Sequence, residues 1–232
     1  MSRELTKARA AVRVGVTCVL ALAVIAAASA AASVPTDSTA GLASIQRLSP
    51  AQFAAMERVF VAALPLDKLQ KSDTAPQSKL DAAANAVVRA CNRLSTRDPL
   101  LRAMRAGCPA ITDLNKATRD LGACSDAACL RRAITSARAA MRRGVSGSRV
   151  SDRAVNATHL SARCKRALVA PSKSYAAYDQ LDAALGKLDH ALVSGSVDEL
   201  AAAEAALTRA EKVGNDLPTA KRLLALFRSG CR

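Results

Sequence analysis

YDQLDAALGKLDHALVSGSVDELAAAEAALTRAEKV, residues 178–213, decides the fold. Tyr178, Leu181, Leu185, Leu188 and Leu192 recur at alternating steps of three and four, which gathers them on one face of an α-helix. Ser194-Gly195 ends that stripe. Ser196-Val197-Asp198-Glu199 then reads as a capping box starting a partner helix that carries Leu200 and Leu207. Two helices joined by so short a turn make an antiparallel hairpin.

The same reading extends in both directions. Downstream, Leu217-Pro218-Thr219-Ala220 reads as the start of a last helix carrying Leu223, Leu224 and Phe227 and ending at Gly230; it lacks the Thr-Gly and apolar tail of a cell-wall sorting signal. Upstream, Ser49-Pro50-Ala51-Gln52 supplies an N-cap, a first-turn proline and a capping glutamine for a helix with Phe53, Met56 and Phe60, expected to stop near Pro65. After a polar linker, Ser78 is expected to cap a helix with Leu80, Ala84, Val87, Cys91 and Leu94. Asp98-Pro99 opens a short helix, and Cys108-Pro109 opens one with Ile111, Leu114, Ala117 and Leu121. Leu130, Ile134, Ala137 and Met141 mark the next stripe. Gly144 to Ser148 is expected to break it, and Ser151 to restart a helix bearing Ala157, Leu160, Cys164 and Ala167. No segment alternates, so no strands are expected. The fold class is all-α, a disulfide-stabilised helical bundle of about seven to eight helices after an N-terminal signal peptide.

Lys7, Arg9 and Arg13 precede an apolar run from Val14 to Val34 that closes on the small residues Ala28-Ser29-Ala30 and Ala30-Ala31-Ala32. This is the layout of a secretory signal peptide. Residues 1–32 are assigned to it, 33–47 to a flexible leader and 48–232 to the helical domain. An uncleaved signal anchor fits the length of the run as well. Either way the domain is expected outside the cytoplasm, secreted or associated with the cell envelope. Thr17 before Cys18 does not suit a lipoprotein signal.

Export leaves six cysteines in an oxidising compartment, enough for three disulfides. If Ser125 caps the following helix, Cys124 and Cys129 occupy the two positions of a hydrophobic staple, and their bridge would be a covalent version of it. For the others, Cys91 with Cys108 and Cys164 with Cys231 are preferred among the fifteen connectivities that six cysteines allow. The spacing is poor for zinc, and no metal site or cofactor is assigned.

The formal net charge of the whole chain is +15. Beyond the signal, the excess lies between residues 89 and 166, where 17 basic residues, 15 of them arginine, face five acids. Arg131, Arg138 and Arg142 flank the Leu130 stripe, Arg132 and Arg143 lie opposite it, and no acid interrupts them. These five are the candidate anion-binding residues, since guanidinium pairs with phosphate and carboxylate in forked geometry. Arg89, Arg93 and Arg97 project from the face opposite Leu80 and Val87. A purely compositional origin of this charge is the competing account.

Export and the absence of Phe, Tyr or Trp from Val61 to Ser174 argue against a nucleic-acid partner. No nucleotide-cradling glycine motif and no nucleophile elbow occurs. His159 and His190 read as surface residues, and Asp179, Asp182 and Asp189 as a solvated flank of the Leu181 stripe; no catalytic residue is assigned. Asn156-Ala157-Thr158 is a formal glycosylation sequon inside a helix. The expected function is an exported, non-catalytic binding module of the cell envelope whose Arg-rich middle contacts anionic polymer or lipid. The alternative is a secreted protein-interaction domain using the C-terminal hairpin, with an enzyme of unfamiliar site behind both.

Overall fold

The computed structural model describes residues 30–31, 47–70, 72 and 75–232. The segments expected to be signal peptide and leader, apart from Ala30, Ala31 and Arg47, lie outside the described residues. The helices are α1 (Pro50–Gln70), α2 (Gln77–Asn92), α3 (Pro99–Arg105), α4 (Cys108–Ala123), α5 (Ala127–Asn156), α6 (Ala162–Leu168), α7 (Ser172–Ser194), α8 (Val197–Asn215) and α9 (Ala220–Cys231). Among the described residues, then, seven helices have twelve residues or more and two have seven, slightly more than expected. No strand exceeds two residues there; one short parallel pairing joins β1 (Ala30–Ala31) to β2 (Ala170–Pro171).

The 30-residue α5 is the spine. α3 and α4 pack on one side of it and the α7–α8 hairpin on another, while α1, α2 and α9 form a layer joined to the rest through α4 and α6. The core is built from Leu, Ala and Val around Phe60, Phe227 and Tyr178. Phe227 stacks on Phe53 at 4.7 Å and meets Phe60 at 5.0 Å, fixing α9 against α1.

Local chemistry sets most helix ends. Ser49 Oγ accepts from the Gln52 N–H at 3.2 Å, and Gln52 Oε1 accepts from the Ser49 N–H at 2.8 Å, the reciprocal box read from the sequence. The same Gln52 donates its side-chain N–H to Asp98, the residue that caps α3, so two helix starts are tied together. The hairpin turns at Gly195, whose φ of 68° is the left-handed conformation that glycine adopts without strain.

Three expectations are corrected. α1 does not stop at Pro65 but runs to Gln70, because Ala63 and Leu66 are buried on either side of the exposed proline and their packing outweighs one lost backbone bond. Gln77, not a residue after Ser78, starts α2, with Pro76 before it. Most consequentially, Gly144–Ser148 does not break α5. A Cβ on Gly147 would lie 2.6 Å from the Gly107 Cα, and one on Gly144 would lie 3.3 Å from the Ala110 Cβ. These glycines let the helix backbone press against the α3–α4 junction, and the buried Ser148 hydroxyl donates to the Gly144 carbonyl at 2.9 Å. What replaces the expected restart is the end of α5 at Asn156, followed by Ser161, whose Oγ accepts from the Cys164 N–H and caps α6.

The three disulfides join Cys91 to Cys108, Cys124 to Cys129 and Cys164 to Cys231, as preferred from the sequence. The Cys124 argument needs one change. Asp126, not Ser125, caps α5 by accepting from the Cys129 N–H at 2.7 Å, so the bridge spans the cap one position earlier than a staple would.

Gly147→Ala is expected to lower stability by about 2–3 kcal/mol, since its methyl meets backbone that cannot rotate away. Gly122→Ala, in a helical position with open space around the added methyl, is expected to raise stability by about 0.5 kcal/mol. Denaturant unfolding of the two variants checks the pair; equal effects would contradict the tight α5 contact.

Candidate functional site

The arginines singled out on α5 do not stand free. Arg138 makes a forked pair with Asp182 of α7, Nε and Nη2 donating at 2.8 and 3.1 Å, and Arg142 Nη2 donates to the same carboxylate at 3.0 Å. Arg131 Nε donates to Asp189 at 2.9 Å, one helical stretch further along α7. Arg143 turns the other way and pairs with Asp113 of α4 at 2.8 Å. Of the five, only Arg132 has no acidic partner among the described residues.

The forked pair is the strongest of these contacts, because both side chains are about three-quarters shielded from solvent. Gly186 makes room for it: a Cβ there would sit 3.3 Å from the Arg138 guanidinium nitrogens. The hydrogen bond from Arg138, and behind it the one from Arg142, holds the Asp182 carboxyl below its ordinary range. Reciprocally, the bond to Asp182 raises Arg138 further, against the opposing effect of burial. Two of the acids read as a solvated flank of α7, Asp182 and Asp189, are thus half of a clasp between α5 and α7.

Beyond the clasp the surface changes. A cleft of about 460 Å³ opens between α5 and α7, with Arg142, Arg149 and Arg153 on one wall and Tyr178, Asp179 and Asp182 on the other. Arg149 and Arg153 have no acidic partner among the described residues. The Arg149 guanidinium lies over the Tyr175 ring at 5.6 Å, a cation–π contact, and Arg153 Nε donates to the Arg149 carbonyl. Tyr175 donates its hydroxyl to Asp152. Burial pushes the Asp152 carboxyl up to about 6, outweighing the bond from Tyr175 that favours its charged form. Burial, then the bond to Asp152, moves the Tyr175 hydroxyl well above the usual tyrosine range.

Arg149 and Arg153 escaped the sequence reading because Gly144–Ser148 was read as a break. The signal was there: 142, 149 and 153 are spaced by seven and four, one face of a helix that continues. Elsewhere, His190 sits exposed at the hairpin turn with Nδ1 3.0 Å from Glu199, which also accepts from Ser194. No family model, curated protein or solved structure matches this chain.

Asp182→Asn should cost about 1 kcal/mol at neutral pH, the solvent access of the pair keeping the loss modest. Because the folded carboxyl titrates below its unfolded value, that stability is present above the unfolded pKa of about 3.9 and is lost as pH falls through the lower folded one. Melting curves of the two proteins should therefore separate at pH 7 and converge at strongly acid pH. In carboxyl-detected NMR, Asp152 should titrate near pH 6, well above the ordinary value of an aspartate side chain.

Proposed function

We propose that this chain is an exported, non-catalytic binding module of the cell envelope whose α5 arginines contact an anionic polymer. One observation carries the reading: Arg142, Arg149 and Arg153 line a single cleft opposite Asp179 and Asp182, and Arg149 and Arg153 make no ion pair with a described acid. Guanidinium groups spaced along one helix face suit a linear polyanion, whose phosphates or carboxylates repeat at comparable intervals. The clasp supports it too, because it fixes α5 against α7 and so holds the two walls of the cleft at a set separation before anything binds. Within the segment singled out from the sequence, the working end is displaced from residues 131–143 toward 142–153. Three disulfides suit an exported protein.

A second reading rests on the hairpin. Val193 and Val197 flank its turn at 62% and 67% exposure, an apolar tip that a protein partner would cover.

Polyphosphate binding across a salt series tests the first reading. Tight binding at low salt should weaken steeply as salt rises, and Arg149→Glu with Arg153→Glu should abolish it while leaving the melting temperature near that of the parent. Val193→Ser with Val197→Ser should leave it unchanged. Binding insensitive to the arginine reversals would remove the cleft from consideration.

A further inference from the structure

A second basic site lies on a different set of helices and differs in chemistry. Arg58 of α1, Arg89 and Arg93 of α2 and Arg228 of α9 converge on a groove of about 390 Å³. Glu57 is the one acid lining it, and it is already bound to Arg228 at 2.6 Å. Arg58, Arg89 and Arg93 are exposed and have no acidic partner among the described residues. The groove therefore carries an excess of three positive charges over its own acids.

Its floor is apolar, unlike the α5–α7 cleft. Ala86 and Ala90 on α2 run beside Arg89 and Arg93 at the same i, i+4 spacing, and Ala62 and Val61 face them from α1. Val61 is 43% exposed, one of few large apolar side chains left open to solvent. Alanine side chains let a ligand approach the helix backbones closely while the arginine stems extend past them. Rigidity comes from below: Cys91, the penultimate residue of α2, is bridged to Cys108 at the start of α4.

We infer that this groove takes the anionic headgroup of a membrane lipid, with the first methylenes of its acyl chains against Val61 and the alanine floor. A soluble polyanion gains nothing from an apolar floor, whereas a lipid presents phosphate and hydrocarbon at adjacent depths, as the arginines and Val61 do. Long arginine side chains are suited to that boundary, since their stems tolerate hydrocarbon while their heads reach phosphate. The inference is independent of the polymer reading and places membrane contact on α1, α2 and α9, away from the cleft.

Co-sedimentation of the disulfide-intact protein with phosphatidylcholine vesicles, with and without phosphatidylglycerol, tests it. Binding should require phosphatidylglycerol. Each arginine at an anionic bilayer contributes about fivefold, so the triple variant Arg58→Gln, Arg89→Gln, Arg93→Gln should bind about a hundredfold more weakly with its melting curve unchanged. Val61→Ser, which alters no charge, should weaken binding several-fold. Arg149→Gln with Arg153→Gln should bind vesicles like the parent, even if it no longer binds polyphosphate. Three outcomes would overturn the inference: vesicle binding equally sensitive to either arginine set, indifference to Val61→Ser, or no preference for phosphatidylglycerol. Each leaves the polyphosphate result standing on its own, and loss of polyphosphate binding alone leaves the lipid site standing.

Discussion

Gly147 pressed onto Gly107 is the contact on which the rest of the arrangement depends. With no side chain on either residue, α5 meets the α3–α4 junction backbone to backbone, and can continue for 30 residues instead of stopping at the glycines. That continuity keeps Arg142, Arg149 and Arg153 in one register and brings the clasp and the cleft onto a single rigid element. A shorter α5 would have left the last two arginines on a different helix with a different direction. The glycines lower local helix propensity, and tertiary packing supplies what propensity does not.

The charges on α5 do two jobs that sequence position alone does not separate. Near its first half they are balanced by Asp182, Asp189 and Asp113 on neighbouring helices and act as interhelical ties. Toward its C-terminal half Arg149 and Arg153 make no ion pair with a described acid, and the guanidinium groups face a cleft whose other wall carries Asp179 and Asp182. A segment that looks uniformly basic is therefore divided by its surroundings into a neutralised, structural part and an open part.

The all-helical class, the hairpin, its turn and the Cys124–Cys129 bridge were legible because each is written in local spacing: leucine periodicity, a Ser-Gly stop, two cysteines astride a helix start. The other two pairings were preferences that spacing alone does not decide, Cys164 and Cys231 lying 67 residues apart. What was not legible depends on residues distant in the chain. Pro65 and Gly144–Ser148 are breakers by intrinsic preference, and only the buried Leu66 and the facing Gly107 show why the helices pass through them. Ser125 and Asp126 are both good caps, and the sequence had no means of choosing. The acids opposite Arg131 and Arg138 lie 58 and 44 residues away, so their pairing is a fact of packing. The groove between α1 and α2 was half visible, in Arg89 and Arg93, but its floor and the contribution of Arg58 and Arg228 come from three helices meeting.

The order of the disulfides has a consequence for how the protein is made. Among the described residues each cysteine pairs with its neighbour in the chain, 91 with 108, 124 with 129 and 164 with 231, so no bridge encloses another or crosses it. Residues 48–232, oxidised progressively from the N-terminal side with each new thiol taking the one still unpaired, arrive at the native set directly. Forming the three bridges takes an oxidant, but no reshuffling of wrong bridges by a disulfide isomerase.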